Sequence, residues 1–283
     1  MNAKIVFFGT SSFAVTVLET LKARGIVAAL IITTKDMPKG RNLALTPPPV
    51  KLWADKMSIP VLQPENLKDE PFTRKLAEEN YDLFIVASYG KIIPREIIDL
   101  PRRKTLNIHP SLLPKLRGPS PVQTAILADE KETGVTIIEI DEKMDHGPIV
   151  SQKKVEVADW PTNHEKLEEL LAKVGASLLA DILPEWLEGA VKALPQDERD
   201  ATYTKKIEKE DAEINLNDDP YLNYRKIMAY GGWPNAYFFA DRKGKRIRVT
   251  ITEASLEDGA LKIKKVIPEG KREMTYEEFL RGL

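Results

Sequence analysis

Apolar positions along this chain recur with two different periods, and the changes between them mark its elements. Ile5–Phe8 is an unbroken apolar run ending at Gly9, the pattern of a strand buried on both faces. Ser11 or Ser12 can cap a following helix that runs to about Arg24. Ile26–Thr33 predicts a second strand, and Thr34–Pro49 a long loop carrying Lys35, Lys39, Arg41 and three consecutive prolines. Val50–Met57 and Pro71–Asn80 predict helices. Leu83–Ala87, Thr105–His109 and Val135–Ile140 predict strands, with a helix over Pro121–Ala128 between the last two. Strands alternating with helices point to an α/β domain with a mostly parallel sheet covered on both faces. Such sheets bind ligands beyond the carboxyl ends of their strands. Two polar segments fall at those ends, one beginning at Asn107 and one at Asp141.

The longest helical pattern is His164–Gly189. Leu167, Leu170, Leu171, Val174, Leu178, Ile182 and Leu183 recur at spacings of three and four, and Pro184 is expected to bend or interrupt the helix. Leu194–Lys206 reads as a polar linker. From Tyr237 the pattern shortens to β runs, Tyr237–Ala240, Arg246–Ala254 and Ala260–Val266, separated by turns at Arg242–Gly244 and Glu257–Gly259. These predict a small antiparallel domain, with a barrel as its candidate form.

Composition narrows the chemistry. The chain of 283 residues has no cysteine, which excludes disulfides and thiolate metal sites. Its start, MNAKIVFFGT, lacks the features of a signal peptide, and no stretch is apolar enough to span a membrane, so a cytoplasmic protein is expected. Net charge is −1, but residues 236–272 hold ten Lys and Arg against five Asp and Glu, a local excess that suits a polyanion. Phe8-Gly9-Thr10-Ser11-Ser12 has a single glycine and meets neither dinucleotide nor P-loop patterns; HExxH and Gly-x-Ser-x-Gly are absent too. No metal is called for.

Asn107 and His109 lie two apart at a strand end, and a period of two puts both side chains on one face. The chain has two other histidines, His146 beside Asp145 in a Gly-bearing turn and His164 at a helix start. An imidazole exchanges protons near neutral pH, an Asn amide can donate to an oxyanion, and a carboxylate can tune the imidazole. Asn107, His109 and Asp145 would suffice for acyl transfer to an amine. On the residues alone, Asp145 can equally be an ordinary turn residue before Gly147.

Two longer runs add a resemblance. Leu106–Ile126 (LNIHPSLLPKLRGPSPVQTAI) and Gly134–Gly147 (GVTIIEIDEKMDHG), in order and correctly separated, resemble the two signatures of folate-dependent formyltransferases. The resemblance implies a Rossmann-like catalytic domain over 1–189, a linker over 190–206, and a C-terminal OB-like β-barrel over 207–283 that binds tRNA. It implies Asn107, His109 and Asp145 as the catalytic residues. The donor would be 10-formyltetrahydrofolate, held by Tyr89, Gly90, Lys91, Ile93, Ser111, Leu112, Leu113, Pro114 and Asp141.

Within the family the chain is most similar to the branch acting on initiator methionyl-tRNA. GTSSFAV, the loop TTKDMPKGRNLALTPPP, the linker QDERDATYTKKIEKEDAEINL and the segment GGWPNAYF carry that likeness. It implies substrate contacts from Phe13, Lys35, Lys39, Arg41, Arg117 and Gly118, a monomer, and no membrane or DNA partner. Ser11, His146 and Pro148 depart from the family pattern. A sugar-nucleotide amine formyltransferase with the same first domain, and a non-catalytic RNA-binding module, are the rival readings.

Overall fold

A computed structural model describes residues 3–39 and 43–283. The chain forms two compact units, each assembled from separated stretches. The first comprises 1–117, 134–155 and 168–203, and the second 118–133, 156–167 and 204–283.

Among the described residues thirteen strands and eight α-helices follow one another along the chain. They begin β1 (Ile5–Gly9), α1 (Ser12–Ala23), β2 (Leu30–Ile32), β3 (Met37–Lys39), β4 (Ala44–Thr46), α2 (Pro49–Lys56), β5 (Val61–Leu62), α3 (Glu70–Glu78) and β6 (Leu83–Ala87). Next come α4 (Arg95–Ile98), β7 (Thr105–His109), α5 (Pro121–Leu127), β8 (Thr133–Glu139), β9 (Ile149–Val155) and α6 (His164–Glu188). The series ends with α7 (Pro220–Ala229), β10 (Tyr237–Arg242), β11 (Lys245–Glu257), β12 (Ala260–Pro268), β13 (Met274–Thr275) and α8 (Tyr276–Arg281).

The first unit is built on a seven-stranded sheet in the order β5-β2-β1-β6-β7-β8-β9. Strands β5, β2, β1, β6 and β7 pair in parallel, and β8 runs antiparallel to β7. The order turns outward in both directions from the β1–β6 pair, so the crevice such sheets use for ligands opens at the ends of β1 and β6. There Thr10 N donates to Ser88 O at 3.0 Å and Thr10 Oγ1 to Tyr89 O at 2.9 Å, which ties the two strand-end loops together. Gly9 is required at this corner because a Cβ would lie 2.7 Å from Ala14 Cβ and 2.9 Å from Ala87 O. Ser11 occupies the cap position of α1 but makes no cap bond; its hydroxyl donates instead to Ser88 Oγ at 2.8 Å.

Both faces of the sheet are covered. Val6, Phe8, Ile32, Phe84 and Val86 pack with Leu76 of α3, Ile97 of α4 and Tyr81 on one side. On the other side α6 crosses β7 and β8 so closely that a Cβ on Gly175 would be 2.5 Å from Ile108 and 2.8 Å from Val135. Residues 164–188 form one helix that continues through Pro184. Buried Leu183 and Trp186 flank that proline, and the Trp186 indole donates to Arg103 O at 2.8 Å, anchoring the last turns in spite of the missing amide. The segment expected to be a bare loop at 34–49 contains the antiparallel pair β3–β4.

The second unit has a core of Ile214, Ile227, Phe238, Val249, Ile251, Val266 and Phe279. Its sheet runs β10-β11-β12-β13 in antiparallel pairs. Among the described residues β10 and β13 do not pair, so the sheet is open and the expected closed barrel is absent. Closure needs more strands with a consistent stagger than four, the last of two residues, can supply. Phe279 of α8 and Ile227 of α7 cover the apolar face instead. Helix α8 starts with a capping box in which Thr275 and Glu278 satisfy each other's backbone amides. Among the described residues no helix is long and apolar enough to cross a membrane.

Candidate active site

Parallel register fixes which way β7 presents its side chains. Asn107 pairs with Val86, whose face is opposite the one α6 covers, while Ile108 points to α6. Asn107 and His109 therefore share the face away from α6. The turn after β8 brings a carboxylate to them: Asn107 Nδ2 lies 3.4 Å from Asp145 Oδ1, and His109 Nδ1 lies 3.5 Å from the same oxygen. The His109 side chain is 4% exposed and that of Asp145 14%, so the charge interaction runs through protein more than through water.

His109 is gripped on its other side. Its Nε2 is 3.1 Å from Leu116 O, and a carbonyl can only accept, so Nε2 carries the proton. In the neutral form of the ring the lone pair of Nδ1 then faces Asp145. A proton taken up at Nδ1 converts that contact into an ion pair. An imidazole so placed can exchange a proton at Nδ1 with a counter-charge beside it.

The turn that carries Asp145 is held by unusual backbone. Asp145 has φ +52°, a left-handed conformation that Asp and Asn tolerate better than most residues. Gly147 packs against β8 so tightly that a Cβ would sit 1.8 Å from Glu139 O. Asp141 accepts from Lys143 N at 2.9 Å, and its other oxygen lies 2.5 Å from His146 Nδ1. The far nitrogen of His146 is 3.3 Å from Glu198 Oε1.

The loop leaving β7 is braced just as closely. Ser111 N donates to His109 O at 2.9 Å, and Ser111 Oγ to Lys115 O at 2.7 Å. Thr136 Oγ1 donates to Ser111 O at 2.6 Å while accepting from Leu113 N at 3.1 Å. Gln152 Nε2 reaches Leu113 O at 2.8 Å. A strap over 194–203 then runs beside the loop: Leu116 N donates to Thr202 Oγ1 at 2.8 Å, and Arg117 N to Thr202 O at 2.9 Å.

The sequence profile of the formyl transferase family matches residues 3–183. The chain belongs to that family. It is 38% identical over 299 aligned positions to methionyl-tRNA formyltransferase of Thermodesulfovibrio yellowstonii, covering 100% of this chain and 96% of the relative. In fold it is similar to a methionyl-tRNA formyltransferase of Clostridium thermocellum, with a TM-score of 0.62 and 19% identity over 94% of this chain and 98% of that one. It is also similar in fold to HypX of Aquifex aeolicus, solved with tetrahydrofolic acid, with a TM-score of 0.70 and 19% identity over 99% of this chain and 47% of that one.

The other residues expected in a formyl transferase site are distributed as follows. Ser111 and Leu113 are buried, and Leu112 and Pro114 are partly so, in the loop after β7. Tyr89, Gly90, Lys91 and Ile93 lie in the loop after β6, with Ile93 buried and Gly90 exposed at φ +79°. The Lys91 ammonium donates to Pro64 O at 3.0 Å and Glu65 O at 3.1 Å. Among the described residues the buried Tyr89 hydroxyl has no hydrogen-bond partner, and burial pushes its pKa up to about 12.

Of the expected acceptor contacts, Phe13 is buried in α1 and Lys35 is exposed beside Glu65 at 3.1 Å. Lys39 ends β3, and Arg41 lies outside the described residues. Gly118 has φ +118° where the chain meets Thr204. Arg117 is not presented to solvent: it is 1% exposed and its fork is committed within the chain. It donates to Gln196 Oε1 at 2.8 and 3.0 Å, to the two oxygens of Glu198 at 2.8 and 3.1 Å, and to the Tyr203 hydroxyl at 3.2 Å. Hydrogen bonding to Arg117 holds the Glu198 carboxyl below the usual range.

Sequence reasoning did not find Gln196, Glu198, Thr202 or Tyr203, because it read their segment as a linker. A signal was there: the stretch 194–206 contains no glycine to mark a free turn, and Arg117 had no local acid to neutralise it.

Proposed function

We propose that this chain transfers the formyl group of 10-formyltetrahydrofolate to the amino group of initiator methionyl-tRNA, acting as a monomer. The observation that carries the reading is the convergence of Asn107, His109 and Asp145 beyond β7, in a chain that matches a methionyl-tRNA formyltransferase over its full length.

The chemistry divides among the three side chains. The folate donor supplies an activated formyl carbon to the acceptor amine. Asn107 Nδ2 donates to the formyl oxygen as negative charge develops there, an effect worth roughly 3–4 kcal/mol for one such donor. His109 Nδ1 accepts the proton the amine loses on forming the new C–N bond, and returns it to the folate nitrogen as the old C–N bond breaks. Asp145 stabilises the imidazolium between those two transfers. No net proton or electron is gained by the protein.

The loop Ser88–Pro94 would border the pterin ring of the donor. It turns through Ser88 at φ +48° and Gly90 at φ +79°, and it holds out Ile92, which is 82% exposed, as apolar contact. The unsatisfied Tyr89 hydroxyl in the same loop is a buried polar atom in want of a partner. Together with Ser111–Pro114 and Asp141 these residues would hold the donor. For the acceptor, Lys35, Lys39 and Arg41 would supply positive charge, and exposed Met37, Leu43 and Leu45 apolar contact. In the second unit Arg246 lies 4.0 Å over the Phe239 ring and Arg248 lies 3.7 Å over Tyr237, an array that suits an RNA backbone and its bases. We assign catalysis to residues 1–189 and tRNA grip to 207–283, joined by 190–206.

The test is formyl incorporation into methionyl-tRNA compared with amino sugars, using 10-formyltetrahydrofolate as donor, alongside a gel shift with aminoacylated initiator tRNA across a salt series. Formylation of methionyl-tRNA with salt-sensitive binding is expected. Turnover on an amino sugar but not on methionyl-tRNA overturns the assignment.

A further inference from the structure

The strap over 194–203 touches the reacting cluster through one side chain. Gln196 Nε2 donates to Asp145 O at 2.8 Å and to Gly147 O at 2.8 Å, spanning the turn that carries the carboxylate. Its Oε1 accepts twice from Arg117, at 2.8 and 3.0 Å. The Arg117 guanidinium therefore fixes which end of the amide faces the turn: a group with five donors and no acceptor can meet only the oxygen. Arg117 is itself fastened by Glu198 and Tyr203 from the same strap, and its own amide by Thr202 O.

These two bonds add to the contacts that Asp141 makes with Lys143 N and His146 in the same turn. Asp145 is in a left-handed conformation, and nothing bulky can stand at position 147. His109 reaches Asp145 Oδ1 at 3.5 Å and Asn107 at 3.4 Å, long enough that a small drift of the turn uncouples both.

We propose that Gln196, locked by Arg117, is a positioning residue for catalysis: its two donated hydrogen bonds hold the 145–147 turn so that Asp145 faces His109 and Asn107. The segment that joins the two halves of the sequence thereby belongs to the catalytic apparatus. This inference rests on the formyl transfer reading for its kinetic arm and on geometry alone for its spectroscopic arm.

Gln196→Glu separates the alternatives. A carboxylate at 196 still accepts from Arg117, so the buried guanidinium keeps its partner, but it has no hydrogen to give the carbonyls of Asp145 and Gly147. Gln196→Leu removes both interactions. With both variants folded by circular dichroism, kcat for formylation of methionyl-tRNA is expected to fall on the order of 10- to 100-fold in each, with KM for donor and tRNA within about twofold. A Gln196→Glu enzyme with wild-type kcat overturns the proposal and leaves Gln196 as a partner for Arg117 only.

The second arm does not depend on activity. The chain has three histidines, so the His109 ring resonances can be assigned by removing His146 and His164 in turn. In Gln196→Glu those resonances are expected to move toward their positions in Asp145→Asn. Resonances that stay at wild-type positions in Gln196→Glu while shifting in Asp145→Asn refute the positioning role, even if the wild-type chain proves inactive on methionyl-tRNA.

Discussion

Asp145→Asn keeps the side-chain volume, tolerates the left-handed φ of +52°, and removes only the negative charge beside His109. The separation of 3.5 Å between Nδ1 and Oδ1 sets the scale. Two full charges at that distance interact by about 5 kcal/mol at an effective dielectric constant of about 20. That dielectric suits the site because both side chains are largely shielded from water. With roughly half a proton's charge on the imidazole at the transition state, about 2–3 kcal/mol remains, or on the order of 30- to 150-fold in rate. The loss should fall on kcat, with KM for both substrates nearly unchanged, because the carboxylate acts on the charge that develops during the transfer and touches neither substrate in this reading. The assay is single-turnover formylation of methionyl-tRNA at saturating donor. A variant that loses less than threefold would show that Asp145 does not stabilise a cationic His109. A loss carried entirely by KM would assign the carboxylate to binding.

Three further outcomes follow from particular contacts. Gly147→Ala should lower Tm and kcat together, since its Cβ would stand 1.8 Å from Glu139 O and relief costs about 1–3 kcal/mol; a wild-type melting curve would refute the close approach. His164 is held neutral by burial, its pKa lowered to about 4. Its folded value lies below its unfolded one, so its contribution is intact above about pH 6.5 and is lost as pH falls toward 4, by up to about 3 kcal/mol. Urea midpoints at pH 7 and pH 5 should therefore differ less in His164→Asn than in the wild type, and an equal difference excludes the buried imidazole as the source. Arg41→Ala should raise KM for tRNA while leaving KM for the folate donor unchanged; a normal KM for tRNA would remove Arg41 from the acceptor site.

Much of the first unit was legible because its signals are local. Leu83–Ala87 and Thr105–His109 are apolar runs of strand length and form β6 and β7 with those bounds. The 3–4 spacing of leucines from His164 marks a helix that ends one residue from the expected position. Asn107 and His109 shared a face by strand period alone, whereas Asp145 joined them only by resemblance to the family. The misses have equally local causes. The pair β3–β4 is two three-residue strands whose Met37 and Leu45 are exposed, so no buried face imprints a period. Helix α7 was not predicted, although Asp219 before Pro220 is a cap followed by a proline at the first helical position; Asp219 accepts from Leu222 N at 2.7 Å. The open second sheet could not be foreseen, since alternation along a strand is the same in a sheet and a barrel.

The sequence by itself determined the alternation of strands and helices, the face on which Asn107 and His109 lie, and the reading of the family. These depend on periods of two and 3.6 residues and on side-chain chemistry within short windows. Only the tertiary structure decided that Arg117 turns inward, that Gln196 grips the turn carrying Asp145, and that the two compact units are each drawn from distant parts of the chain. Those outcomes rest on contacts across roughly fifty to eighty residues, such as Gln196 to Asp145 and Arg117 to Gln196. A buried charge takes whatever partner the completed fold brings within hydrogen-bonding distance, and no window along the chain contains that partner.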